Sequence, residues 1–140
     1  MADDRPLVVT DASIVAAWSF PDEIDEYAEE ILESIQTRCQ PIAPILWVYE
    51  IRNVLLGAVR KQRVTRARVD ELFGFLAELN VSLYAPDSPT NIFQLAERHS
   101  LTYYDAAYLD LAIREGASLA TLDKALRRAA GDAGVALYGL

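Results

Sequence analysis

Four acidic residues of this 140-residue chain stand where a carboxylate calls for a chemical explanation. Two of them directly follow strand-like segments, and two lie on helical segments among apolar neighbours. An unpaired carboxylate in a buried position normally becomes protonated, finds a cationic partner or binds a metal ion. The four residues are Asp11, Glu50, Asp105 and Asp123.

The segment "LTYYDAAYLDLA", residues 101–112, predicts an amphipathic helix that carries two aspartates. With an advance of about 100° per residue, Asp105 falls inside the apolar stripe of this helix. Asp110 falls on the opposite face, one turn before Arg114, which is a suitable ionic partner. We therefore predict that Asp105 points into the protein and that Asp110 is solvated.

Glu50 lies in the middle of the predicted helix "PILWVYEIRNVLLGAVRK", several residues from either end. A capping role is therefore not available to it. Its neighbours on the helical wheel include Leu46, Trp47 and Val54, which form another apolar stripe. The structural alternative is a buried ion pair with a distant arginine, and such pairs contribute little net stability.

The other three acids also have ordinary structural explanations. Asp11 and Asp123 each precede a predicted helix, and aspartate is a favoured N-cap. Asp105 comes three residues after Thr102, which is the spacing of a capping box. Taken one at a time, each of the three residues is explained at least as well by capping as by chemistry.

Short strands alternate with helices along the chain, which indicates a parallel sheet covered by helices on both faces, in one domain over residues 1–140. We predict strands at residues 7–10, 81–84, 118–122 and 135–138, and a short extended segment at 41–44. We predict helices at residues 12–20, from 21–22 onward, 45–61, around 69–79, 89–99, 101–112 and from 124. Ligands of such sheets bind outside the carboxyl ends of the strands, where Asp11 and Asp123 are predicted to lie.

The composition narrows the class of protein. A net charge of −8 argues against nucleic-acid binding by bulk positive charge. It does not exclude a nuclease, because a site of four acids would account for half of that charge. No apolar run approaches the roughly 18 residues of a membrane span. Residues 1–5 are polar, so no signal peptide is expected, and a single Cys39 fits the reducing cytoplasm.

Convergence of the four acids would create a cation site. Clustered carboxylates repel one another and raise their pKa values unless a cation is present. Ligands that are all oxygen suit Mg²⁺ or Mn²⁺. His99 and Cys39 are the only histidine and cysteine of the chain, so a zinc site is not expected.

The ordered motifs "VVTDAS", "VYEIRNVL", "LTYYDAAYLDLA" and "LATLDKAL" resemble the PIN-domain family, most of all its VapC-type members, the ribonuclease toxins of bacterial toxin–antitoxin pairs. The resemblance covers nearly the whole chain. It implies a three-layer α/β/α sandwich with a central, mainly parallel sheet. It also implies an endoribonuclease that depends on Mg²⁺ or Mn²⁺ and hydrolyses RNA with a metal-activated water.

The resemblance assigns roles to individual residues. The catalytic acids of the family fall on Asp11, Glu50, Asp105 and Asp123, and the metal would be held chiefly by Asp11 and Asp105. Two hydroxyl residues, Ser13 and Thr121, would orient ligands or waters. The family also implies a homodimer and a small cognate antitoxin that covers the site.

Basic residues that could hold RNA occur in two places. "RKQRVTRAR", residues 60–68, surrounds a predicted connection between helices, where a solvated turn is an equally good explanation. Arg127 and Arg128 follow Asp123 closely and are slightly favoured for that reason.

Two other functions remain open at this stage. One is a non-catalytic binding module on a PIN-like scaffold. The other is a phosphatase with an aspartyl nucleophile at the end of the first strand. Such a phosphatase usually needs a second acid two residues later, where Ser13 stands.

Overall fold

The structure is a computed structural model that describes residues 4–140. Within these residues, strands and helices alternate in the following order: β1 (Leu7–Thr10), α1 (Ala12–Ser19), α2 (Glu26–Thr37), β2 (Gln40–Pro44), α3 (Leu46–Arg60), α4 (Arg66–Glu78), β3 (Ser82–Tyr84), α5 (Pro89–His99), α6 (Tyr103–Glu115), β4 (Ser118–Ala120) and α7 (Lys124–Asp132). No helix in this part of the chain is long and apolar enough to cross a membrane.

The four strands form one parallel sheet in the order β3-β2-β1-β4. Val9 of the central strand β1 pairs with Ile42 on one side and Leu119 on the other, and all three are fully buried. One layer is α6 on the sheet, with α5 and α7 packed against it; the other contains α1, which packs on α2 and α3. The connections from β1 to β2 and from β2 to β3 run across the sheet in one direction, and the connection from β3 to β4 runs in the other. Because such crossovers are right-handed as a rule, the two directions place their helices on opposite faces of the sheet. The predicted three-layer α/β/α sandwich is confirmed.

The chain changes direction across the sheet between β1 and β4. From β1 it continues to β2 and β3 on one side, and it returns through α5 and α6 to add β4 on the other side. The Asp11 N–H donates to the Ala120 carbonyl at 3.1 Å, which extends the pairing by one residue beyond the strands. Asp11 and Asp123 therefore flank the crevice at which ligands bind in sheets of this type.

Several predicted elements differ from the structure by more than one residue; the strand predicted at 118–122 ends at Ala120, and the helix predicted at 101–112 spans Tyr103–Glu115. The second helix begins at Glu26 instead of 21–22, because the Asp25 side chain accepts a hydrogen bond from the Ala28 N–H and caps it there. The predicted strand at 135–138 is reduced to a single parallel bridge between Leu119 and Leu137. Gly134 and Gly139, both at φ 76°, turn the chain at either end of this segment.

The predicted faces of α6 are wrong. Asp105 is only partly buried, whereas Asp110 is buried to 7% exposure. The helix contacts β1, β2, β4, α5 and α7, and its buried residues run continuously from Tyr108 to Ala112. A helix surrounded in this way has no single solvent-facing side, so the wheel could not distinguish the two aspartates. The predicted partner of Asp110 is confirmed, since its Oδ2 lies 3.3 Å from Arg114 Nε.

We expect Asp110→Asn to lower the free energy of unfolding by about 1–3 kcal/mol, because it leaves the Arg114 guanidinium with an incomplete partner in a largely buried position. The matched control is Asp70→Asn in the exposed pair Arg66–Asp70, for which we expect a loss of less than about 1 kcal/mol. Urea denaturation of both variants measures the difference. Equal small losses would show that the Asp110–Arg114 pair behaves as a surface pair.

Candidate active site

Asp11 is held by hydrogen bonds at the carboxyl end of β1. It is the N-cap of α1, and its Oδ1 accepts a hydrogen bond from the Ser13 N–H at 2.9 Å. Its Oδ2 accepts from the Ser13 hydroxyl at 3.1 Å and from the Thr121 hydroxyl. The residue is only 6% exposed. The capping role considered for Asp11 is thus real, and it occurs together with contacts that capping does not require.

The two hydroxyl groups have a fixed direction of donation. The Leu122 N–H donates to Ser13 Oγ at 3.0 Å, and the Asp123 N–H donates to Thr121 Oγ1 at 3.0 Å. Each hydroxyl has one proton, and both protons are directed at Asp11 while the backbone N–H groups occupy acceptor positions. The arrangement therefore suits an ionised Asp11 carboxylate, which only accepts hydrogen bonds.

Asp123 lies next to this group, after β4. It is the N-cap of α7 and accepts from the Leu126 N–H at 2.9 Å. The loop before it is held by Arg127, whose Nε donates to the Thr121 carbonyl at 2.8 Å and whose guanidinium lies 4.8 Å from the centre of the Tyr27 ring. Arg127, a favoured RNA contact from the sequence, is thus engaged within the protein.

Glu50 joins the site from α3 through Tyr108 of α6. The fully buried Tyr108 hydroxyl donates to Glu50 Oε1 at 2.6 Å. Burial and this hydrogen bond raise the pKa of Tyr108, so its hydroxyl remains a donor. Glu50 itself is partly buried, at the edge of a helix whose buried residues include Trp47, Ile51 and Leu55, while Val54 is 40% exposed. The prediction that Glu50 lies inside an apolar stripe is therefore only partly correct.

Tyr108 is a site residue that the sequence interpretation missed. It lies three residues after Asp105, in a buried run that contains one other polar residue, Asp110. A buried tyrosine needs a partner for its hydroxyl. A tyrosine in this buried segment could therefore have predicted that a polar group of another helix or strand lies nearby.

Each of the four acids lies within electrostatic range of at least two of the others. Burial raises the pKa of Asp11, hydrogen bonds from Thr121 and Ser13 oppose this, and the charge of Asp123 adds to the increase. Burial also raises the pKa of Asp105, and the charges of Asp123 and Asp11 contribute further. For Glu50, burial raises the pKa against the hydrogen bond from Tyr108, and Asp11 and Asp105 raise it more. The carboxylates therefore repel one another across the crevice.

The donor set fits a hard divalent cation. All of its ligand atoms are oxygens, and a positive ion would relieve both the repulsion and the cost of burying charge. Within residues 4–140, no three side chains of the ligating types are close enough to hold a metal ion together. Mg²⁺ commonly keeps several waters and binds through one or two carboxylates, so it does not require three side chains in direct contact with it.

The basic segment at 60–68 is largely neutralised by local contacts. Arg63 pairs with Glu23 at 2.8 Å and with Asp22 at 3.2 Å, and its guanidinium lies 4.1 Å from the centre of the Phe20 ring. Arg66 and Arg68 pair with acids one turn later in α4. These contacts support the interpretation of the segment as a solvated turn.

The chain is similar to known proteins over most of its length. Residues 8–132 match the model of the PIN domain. Ribonuclease VapC3 of Pyrobaculum aerophilum is 34% identical over 125 residues, which cover 85% of this chain and 91% of the relative. The crystal structure of PAE2754 from the same organism has a TM-score of 0.71 at 22% identity and covers 89% of this chain and 84% of that one.

More distant structures share the fold. A toxin–antitoxin complex from Klebsiella pneumoniae has a TM-score of 0.55 at 18% identity and covers 83% of this chain and 86% of its own. FitAcB from Neisseria gonorrhoeae has the same TM-score and identity and covers 94% of this chain and 96% of its own. The family match and the curated relative together show that the chain belongs to the PIN-domain family, among its VapC-like members.

Proposed function

We propose that this protein is an endoribonuclease that depends on Mg²⁺ or Mn²⁺ and acts as the toxin of a toxin–antitoxin pair. The observation that carries the proposal is the Asp11 carboxylate, buried and hydrogen-bonded at the carboxyl end of β1, with three further acids within electrostatic range. Support comes from the 34% identity to a relative named a ribonuclease. PIN-domain ribonucleases generally depend on divalent metal ions.

The contacts of each residue suggest its role in metal binding or in orienting a ligand. Asp11 and Asp105 are proposed as the principal metal ligands, with Asp123 and Glu50 completing the catalytic set. Two hydroxyls, Ser13 and Thr121, orient Asp11 by donating to it. When bound, the divalent ion lowers the pKa of water and neutralises charge on the scissile phosphate. No side chain is required as a covalent nucleophile.

The phosphatase alternative is disfavoured by the contacts of Asp11. Both carboxylate oxygens accept hydrogen bonds, and Oδ2 accepts two, which lowers the nucleophilicity of the group. Ser13 also occupies the position at which a second acid would be required. A non-catalytic binding module would have the same scaffold. The presence of all four acids is the one feature that favours a nuclease over such a module.

We also propose that the protein forms a homodimer and works in the cytoplasm with a small antitoxin that covers the acidic crevice. The expectation of such a partner rests on the VapC-like relationship. Its chemistry follows from the site, because clustered carboxylates attract a guanidinium, whose planar fork can bind a carboxylate through two hydrogen bonds.

Cleavage of RNA is expected to need Mg²⁺ or Mn²⁺ and to stop in EDTA. Asp105→Asn should lower kcat/KM by at least roughly 10- to 100-fold. That loss is typical when a residue that only supports a metal ligand is removed, and Asp105 is proposed as a ligand itself. The matched control is Glu97→Gln on the neighbouring α5, an exposed acid for which we expect wild-type activity. Undiminished cleavage after exhaustive chelation would contradict the metal mechanism, and equal losses in both variants would contradict the role of Asp105.

Glu50→Gln should raise the melting temperature at pH 7 in EDTA. Because the folded protein raises the pKa of Glu50, it binds this proton more tightly than the unfolded chain does. Stability therefore falls as the pH rises from the ordinary glutamate value toward the raised one, and the glutamine variant avoids this loss. The amide oxygen can still accept the hydrogen bond of Tyr108.

Thermal scans between pH 4 and pH 7 test this expectation, again with Glu97→Gln as the control. The advantage of Glu50→Gln should disappear near pH 4 and should shrink when Mg²⁺ is added, because bound cation stabilises the wild-type fold. A variant that is less stable than wild type at pH 7 in EDTA would indicate that Glu50 serves a structural ion pair.

Expression of the protein alone should arrest growth, and co-expression of the small protein encoded next to it should restore growth. Asp105→Asn expressed alone serves as the control and should be harmless. Purification of the complex, followed by RNase assays before and after removal of the partner, measures the inhibition directly. A freed, folded protein that neither arrests growth nor cleaves RNA with Mn²⁺ would favour the binding-module function.

A further inference from the structure

An exposed tyrosine directly precedes each of the two helical acids of the site. Tyr49 comes before Glu50 and is 71% exposed, and Tyr104 comes before Asp105 and is 62% exposed. Both rings line one open groove of about 610 Å³. The residues that line the groove include Tyr49, Glu50, Arg52, Asn53, Leu56 and Tyr104. Since Glu50 lines this groove and also belongs to the acidic set, the groove is continuous with the site.

The two rings are not used by the fold. The hydroxyl of Tyr27 donates to the Tyr138 carbonyl, and that of Tyr108 donates to Glu50. Within the part of the chain that the structure describes, neither Tyr49 nor Tyr104 makes a side-chain hydrogen bond. Each therefore presents a flat apolar face to solvent beside a proposed catalytic acid.

The groove also contains an arginine, Arg52, whose side chain is held by two contacts. Arg52 is exposed, and its position is fixed by a hydrogen bond to the Val48 carbonyl at 3.2 Å and by the Phe73 ring at 4.6 Å. Among residues 4–140, no carboxylate lies within 4.0 Å of its guanidinium. Arg63, in contrast, is paired with acids. A fixed and unpaired guanidinium suits a phosphate.

We propose that this groove binds unpaired nucleotides of the RNA next to the bond that is cleaved, with bases stacked on Tyr49 and Tyr104 and a phosphate on Arg52. This inference rests on the proposed function. An RNA strand whose phosphate reaches the acids must continue over the adjoining surface, and the groove offers the ring faces and the cation that single strands require. Bases of a duplex are already stacked and paired, so the groove selects single-stranded RNA.

The test separates binding from cleavage. Binding of a fluorescent 12-nucleotide single-stranded RNA is measured by anisotropy in Mg²⁺ with the Asp123→Asn protein, in which asparagine keeps the cap of α7. Added Tyr49→Ala or Tyr104→Ala should weaken binding about tenfold each, and the tryptophan variants should restore it. Tyr103→Ala is the control, because Tyr103 is exposed on the same helix but does not line this groove; it lines an adjoining pocket that Tyr104 also borders. The same RNA annealed to its complement should show no dependence on the tyrosines.

Activity measurements complete the design. In the otherwise wild-type protein, the alanine variants should raise KM for the single strand with little change in kcat. Unchanged KM and Kd in both variants would overturn the groove even if the protein cleaves RNA. RNA binding that depends on the tyrosines without any cleavage would support the groove and contradict the proposed nuclease. Loss of RNA binding together with loss of a dimer in light scattering would assign the surface to a second copy of the chain and overturn the proposal.

Discussion

The burial of the Asp11 carboxylate is the constraint on which the rest of the site depends. An isolated buried carboxylate is costly, and this one is retained by three hydrogen bonds from Ser13 and Thr121. Ser13 follows β1 and Thr121 follows β4, which pair in parallel. The hydrogen bonds therefore require the two strands to end in register, and the same register places Asp123 next to Asp11.

Two helices bring the remaining acids to this point. The Tyr108 hydroxyl is buried in α6 and has Glu50 of α3 as its partner. This bond links two helices that come from opposite faces of the sheet. Asp105 lies in the first turn of α6, one turn before Tyr108, so the position of Tyr108 also fixes where Asp105 lies relative to Glu50. The acids thus belong to a network that spans all three layers.

Sequence patterns predicted the strand ends well and the helix faces poorly. Asp11 directly follows β1, whose end was predicted correctly, and Asp123 lies shortly after β4, which ends two residues earlier than predicted. Parallel pairing brings the ends of both strands to the same edge of the sheet. Asp110 was misplaced because α6 is buried on almost every side, so its apolar pattern carries little information about direction. The segment 135–138 has strand-like composition but makes only one bridge, since its pairing depends on the short β4.

The distribution of charge explains how a protein with a net charge of −8 could bind an anionic substrate. Burial and mutual repulsion of the carboxylates lower the stability of the folded protein when no cation is bound. Functional sites commonly reduce stability in this way. Several arginines, including Arg63 and Arg66, are paired with neighbouring acids and add little net positive field. Among the described residues 4–140, the connection between α3 and α4 therefore does not form a broad basic surface that could bind RNA. In the proposed function, the positive charge at the site comes from a bound cation and from single side chains such as Arg52, and exposed aromatic rings supply contacts that do not depend on charge.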